Sequence, residues 1–335
     1  MLAIVCPGQG SQTPGFLAPW LELDGTRDQL ESLGAAAGLD LVAHGTVSDA
    51  DTIKDTAIAQ PLIVAAGLVS LRALFADHAG DGTAAVGAWA GHSVGELTAA
   101  AAAGVLTAEQ AMVFVRERGQ AMASASAVTP TGMSAVLGGV PDEVLATIER
   151  HGLTPANNNG GGQIVAAGTL EQLAAFAADP PARARVIPLQ VAGAFHTIHM
   201  SAAVEVLTAL ASTLSPADPT APLLSNADGQ VVIDGSDAVR RLVGQVSNPV
   251  RWDLCMQTLL DLGVTGLIEV APAGTLVGLA RRAMKGVPTV ALKTPEDLEA
   301  ARALIREHGS NDTTHSPETD TTAPATTPSS EEAPQ

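Results

Sequence analysis

Residues 84–103 run from an apolar stretch, Ala84-Ala85-Val86-Gly87-Ala88-Trp89-Ala90, through Gly91-His92-Ser93-Val94-Gly95 into an Ala-rich segment, Glu96 to Ala103. A strand, a sharp turn of small residues and then a helix is the context of a nucleophile elbow. Small residues allow a turn tight enough to hold the serine hydroxyl clear of its own backbone. The helix behind it points unpaired N–H groups and a partial positive charge to where negative charge would develop. Such a junction requires strands and helices in alternation, so the expected class is α/β.

A chain of 335 residues can bury a large core, which predicts one big domain with an insertion, or two domains. Apolar residues at 46% and charged residues at 16% describe a globular protein, and no apolar run is long and uninterrupted enough for a confident membrane span. The start Met1-Leu2-Ala3-Ile4-Val5-Cys6-Pro7 has no basic n-region, so no signal peptide is expected. Cys6 and Cys255 lie far apart in apolar settings and read as reduced packing residues of a cytoplasmic protein. The net charge of −18, without a Lys/Arg-rich run, argues against a nucleic-acid or anionic-membrane partner. A monomer is expected. Part of the negative charge falls in residues 309–335, which are rich in Thr, Ser, Pro and Ala, carry acidic residues and no Lys or Arg, and read as a disordered tail.

The body of the chain alternates. Leu2–Cys6 reads as a buried strand followed by the tight turn Gly8-Gln9-Gly10-Ser11-Gln12, and about Ala57 to Asp77 shows helical spacing. Thr107 is placed to cap a helix running to about Ala127. The texture then changes to strand, helix, strand, helix, strand, ending near Leu189. That packet predicts a small α+β insertion of the ferredoxin-like type. The expected division is residues 1–127 and 193–308 as two parts of a large domain, 128–192 as the small domain, and 309–335 as the tail.

A serine needs a base. His92 adjoins Ser93, but neighbouring elbow residues point in different directions. His44, His78 and His151 lie in polar connecting segments, and His308 and His315 at or in the tail. His196 follows the apolar loop Val191-Ala192-Gly193-Ala194-Phe195, at the junction where the insertion returns to the large domain. Clefts of that kind house active sites, so His196 is the candidate base. His199 stands three residues on, but no third ligand stands at a metal-binding spacing, and no metal is expected. Arg116 and Arg118 interrupt an otherwise Ala/Met/Val-rich helix, two residues apart and on different faces. Arg116 reads as a solvated helix residue, whereas Arg118 is placed to offer a planar fork to a substrate carboxylate.

Pro7-Gly8-Gln9-Gly10-Ser11-Gln12, Gly91-His92-Ser93-Val94-Gly95-Glu96, Arg118-Gly119, Gly193-Ala194-Phe195-His196 and Asn248-Pro249-Val250-Arg251-Trp252 stand in this order along the chain. Over roughly residues 1–295 the sequence resembles the malonyl-CoA:acyl-carrier-protein transacylases, free-standing acyltransferases of fatty-acid and polyketide synthesis. The resemblance implies an α/β-hydrolase-like large domain with a ferredoxin-like insertion. It implies Ser93 as nucleophile, His196 as general base, and the backbone N–H groups of Gln9 and Val94 as the oxyanion hole. It also implies that Arg118 pairs with the malonyl carboxylate and that the main-chain carbonyl of Arg251 orients His196. Phe195 matches the pattern associated with malonyl rather than methylmalonyl units. Asn157, Asn159 and Gln163 match pocket-edge positions, and Met122 a pocket-wall position.

The implied substrates are malonyl-CoA and a holo acyl carrier protein, with no cofactor. The rival reading is a serine esterase or thioesterase on a related fold. It would need an acid in the order Ser–acid–His, and the aspartates that fall between Ser93 and His196, Asp142 and Asp179, both sit within the insertion.

Overall fold

The computed structural model describes residues 1–76 and 82–309. His78 and the acidic tail with His315 therefore lie outside the described residues. The strands in chain order are β1 (Leu2–Cys6), β2 (Ala88–Gly91), β3 (Thr131–Gly138), β4 (Thr154–Gly160), β5 (Gln163–Thr169), β6 (Ala184–Pro188), β7 (Leu223–Leu224), β8 (Val231–Val232), β9 (Val250–Arg251), β10 (Gly266–Glu269) and β11 (Thr289–Ala291).

They form two sheets in a mixed α/β architecture. The first has the order β11-β10-β1-β2-β7-β8, parallel except for the β7–β8 edge pair. Every residue of β1 and β2 is buried. That follows from the continuous apolar sequence of β1, which suits a parallel strand covered by helices on both faces. The second sheet has the order β6-β3-β5-β4-β9, and its first four strands pair antiparallel. β9 joins β4 in parallel from the far side of the sequence, so the second sheet is tied to the chain that follows His196.

The expected helices form close to where the spacing places them. Thr107 caps Ala108–Ser126 through a reciprocal pair with Gln110. Thr56–Phe75 is long and apolar enough to cross a membrane, but it is a core helix, buried along most of its length and packed mainly on Ala108–Ser126. Both cysteines are buried and free. Several elements lie outside the expectation from spacing, among them the helix Thr26–Ala37. β4, Thr-Pro-Ala-Asn-Asn-Asn-Gly, is a strand despite residues that disfavour strands, because β5 and β9 pair with both its edges.

Candidate active site

The elbow is built by close approach. β2 ends at Gly91 and the helix Gly95–Ala102 starts four residues later. A Cβ on Gly91 would run into the backbone of Gly95 and Glu96, and one on Gly95 into the Cys6 carbonyl of β1, so the turn closes only with glycine at both places. Ser93 sits between them with φ 54°, in the left-handed region. Its neighbours hold that strained peptide from both sides. The Ser93 N–H donates to Asn226 Oδ1 at 2.7 Å, and the Ser93 carbonyl accepts from Gln245 Nε2 at 2.9 Å. Strained, over-determined backbone of this kind is a mark of functional sites.

His196 is the other non-glycine residue of the site with positive φ, at 61°. Its backbone N–H donates to the Val246 carbonyl at 3.0 Å, and its Nδ1 stands 2.8 Å from the Gln245 carbonyl. With Nδ1–H donating there, Nε2 carries the lone pair, and it lies 2.7 Å from Ser93 Oγ. A candidate nucleophile, a candidate base and a carbonyl that orients it are thus in line.

Arg118 is buried, 2% exposed, on the helix face turned to the elbow. Its Nη1 donates to Gln60 Oε1 at 2.6 Å, and its Nη2 to Gln245 Oε1 at 2.7 Å and to Ser93 Oγ at 3.3 Å. All three acceptors are neutral. Arg116 instead pairs with Glu117 and the Ala36 carbonyl in a half-buried position, as a solvated helix residue should.

A cleft of about 210 Å³ opens onto Ser93 and His196, lined also by Gln9, Asn157, Asn159 and Phe195, with Arg118 behind Ser93 and outside the lining. One wall comes from the β3–β6 sheet and the other from the elbow and the loop after β1. Val94 lies at the N-terminal end of the elbow helix and Gln9 in the loop after β1. Among the described residues, neither backbone N–H finds an acceptor in the chain.

The arrangement is that of an acyl-transfer site, and the chain's relatives agree. Residues 3–322 match the acyl transferase domain family. The chain belongs to this family. This acyltransferase is 51% identical over 299 residues to the malonyl CoA-acyl carrier protein transacylase of Mycobacterium tuberculosis, covering 89% of this chain and 98% of the relative. It is 31% identical over 329 residues to the protein of the same name from Bacillus subtilis, covering 92% and 99%. The crystal structure of MCAT from Mycobacterium tuberculosis superposes with a TM-score of 0.87 at 50% identity, over 90% of this chain and 99% of that one. A type II PKS acyl-carrier protein in complex with its malonyl-transacylase contains a chain that matches with a TM-score of 0.85 at 28% identity, over 90% and 99%.

The acyltransferase places most of the expected residues around the cleft. Gln163 lines it and accepts from Asn159 Nδ2 at 3.0 Å, while Asn159 Oδ1 is 2.8 Å from His92 Nε2. His92 is therefore turned away from Ser93, toward β4, and rests edge-on against Trp252. Met122 stands outside the cleft lining. It is buried one turn beyond Arg118, and its sulfur accepts from Gln60 Nε2 at 3.5 Å, behind the arginine.

The carbonyl that orients His196 is a correction. The expected orienter was Arg251, but the Gln245 carbonyl occupies that place. Arg251 belongs to β9, where its N–H donates to the Asn226 carbonyl, and its guanidinium pairs with Asp253 in a half-buried position. The physical reason is the path of the chain. The helix Gly235–Gln245 ends beside the His196 loop and leaves its last carbonyls unused by the helix, whereas the carbonyls of a strand are committed to the sheet. Four polar residues of the site were given no role by the sequence: Gln60, Gln245 and Asn226 as partners, and Glu96 beneath them. Gln60 carried a signal, being an isolated amide in a helix otherwise almost wholly apolar.

Burial dominates the electrostatics. It lowers His196 from the usual histidine range to about 3, with the Arg118 charge acting in the same direction. The imidazole is therefore neutral at neutral pH. It lowers Arg118 only to about 10, so the guanidinium stays charged at neutral pH. For His196 the unfolded chain binds a proton between about pH 3 and about pH 6.5 and the native state does not, so this residue's contribution to stability falls as pH drops through that window. Glu96, raised to about 7 by burial, acts with the opposite sign, its contribution being lost as pH rises from 4.5 to about 7. Thermal melts of the parent and of His196→Asn at about pH 7 and about pH 5 separate the two. The variant is expected to lose less stability on acidification than the parent.

Proposed function

We propose that this acyltransferase moves a malonyl group from malonyl-CoA to the phosphopantetheine thiol of an acyl carrier protein, through an ester on Ser93, in fatty-acid synthesis. One observation carries the choice of acyl group. A buried, charged guanidinium lies 3.3 Å from the nucleophile with neutral hydrogen-bond partners only, which leaves a cationic site for a carboxylate on the acyl chain.

Ser93 Oγ attacks the thioester carbonyl as His196 Nε2 takes its proton. The N–H groups of Gln9 and Val94 hold the oxyanion. The C–S bond then breaks, and the CoA sulfur leaves with the proton from the imidazolium. In the second half the carrier thiol gives its proton to His196 and attacks the ester, and Ser93 recovers its own. Asn157, Asn159, Gln163 and Phe195 line the space beside the acyl group. The His196 partner is a carbonyl, not a carboxylate, which goes against the esterase reading. Asp179 is engaged with Arg150 and His151 on the small sheet's helices.

The same reading extends to the architecture. The large unit, 1–127 with 193–308, is α/β-hydrolase-like, and 128–192 is a ferredoxin-like insertion. The order β6-β3-β5-β4, with one helix between β3 and β4 and one between β5 and β6, supports the second assignment. A cytoplasmic monomer acting without a cofactor completes the proposal.

The test is intact-protein mass after mixing with malonyl-CoA, beside acetyl-CoA. A malonyl-sized adduct that clears on adding a holo carrier protein is the expected result. CoA release with free malonate and no adduct would mean a hydrolase.

A further inference from the structure

Beneath the elbow lies a buried carboxylate that the transfer steps do not use. Glu96 is 5% exposed, on the first turn of the helix behind Ser93. One oxygen accepts from the Asn226 N–H at 2.6 Å, and the other from Gln245 Nε2. Those two partners are the residues that grip the Ser93 peptide: Asn226 accepts its N–H and also donates to the Gly91 carbonyl at 2.7 Å, and Gln245 donates to its carbonyl. Gln245 in turn presents Oε1 to Arg118 and its main-chain carbonyl to His196.

A glutamine amide has two nearly isosteric ends, and something must decide which faces the arginine. Ionised, Glu96 accepts only, so together with the Ser93 carbonyl it draws the Nε2 end and turns Oε1 to Arg118. Glutamine at position 96 would set a donor against one of two donors. Resting on the malonyl reading above, we propose that Glu96 is a positioning residue: it fixes the amide sense of Gln245 and the Ser93 peptide, and thereby aims Arg118 at the acyl carboxylate.

The charged and titratable groups facing Glu96 are Arg118 on the helix Ala108–Ser126, Arg241 on Gly235–Gln245 and the Cys255 thiol on Trp252–Asp261. A small cavity separate from the substrate cleft, lined by Glu96, Ser225, Leu242 and half-buried Arg241, reaches the carboxylate from behind. Burial raises its pKa to about 7.

The experiment compares kcat/KM for malonyl-CoA and acetyl-CoA, with a holo carrier protein, in the parent, Glu96→Gln, Arg118→Ala and the double variant. Unfolded molecules lower both rates alike, so the ratio reads positioning and not folding. Glu96→Gln is expected to lower the malonyl:acetyl ratio about tenfold, and to lower it no further in the Arg118→Ala background. An unchanged ratio, or the same fall in that background, overturns the proposal. Should Glu96→Gln yield no folded protein, the parent's ratio is read from about pH 6 to about pH 8, where forming the carboxylate should raise it. A flat ratio would overturn it. A parent that transfers no malonyl group at all contradicts the function itself, which is a separate result.

Discussion

Ser93→Ala is expected to form no acyl ester and to transfer malonyl groups about 10⁶-fold more slowly than the parent, as when the nucleophile of an acyl-transfer triad is removed. The size follows from how much of the site converges on one oxygen. His196 Nε2 and Arg118 Nη2 both lie within hydrogen-bonding reach of Ser93 Oγ. Without it, base and oxyanion hole have no covalent step to serve. The fold should survive, because the groups that hold the strained turn bond to the Ser93 backbone and not to its side chain. Intact mass with malonyl-CoA, together with a thermal melt, checks both halves. An adduct on the variant would move the nucleophile elsewhere.

Arg118→Ala should separate the two acyl donors. In the parent, a malonyl carboxylate would supply the anion that Gln60, Gln245 and Ser93 cannot. Removing one partner of a buried ion pair is worth about 3–5 kcal/mol, or roughly 10²- to 10⁴-fold. Malonyl transfer is expected to fall by that factor, while acetyl transfer, which makes no use of the guanidinium, changes much less. The measured quantity is the ratio of kcat/KM for malonyl-CoA and acetyl-CoA. An unchanged ratio would remove Arg118 from acyl-group recognition.

Where a residue's chemistry is carried by its immediate neighbours in sequence, the sequence was a sufficient guide. Gly91 and Gly95 bracket Ser93 because the turn is local, and the order strand, elbow, helix follows from a few consecutive residues. His196 was reached by its place at a junction, and Arg118 by its being a cation in an apolar helix. The capped helix from Thr107 and the strands β1, β3 and β5 were legible for the same reason: periodicity and caps are short-range.

The partners were not legible. Gln60, Gln245 and Asn226 come from three distant segments, and an amide in a sequence gives no sign of what it faces. Even the resemblance pointed to Arg251 for the carbonyl that orients His196. Which carbonyl turns to a histidine depends on where a helix stops and a strand begins in space, and Gln245 and Arg251 lie only six residues apart. β4 is a strand because β5 and β9 flank it, against the preference of its asparagines. The sequence by itself pointed to Ser93 through a local turn, to His196 through a junction, to Arg118 as a cation in an apolar helix, and to the α/β class. Only the tertiary structure decided how those groups are aimed, because buried polar groups must find partners wherever the packed chain brings them.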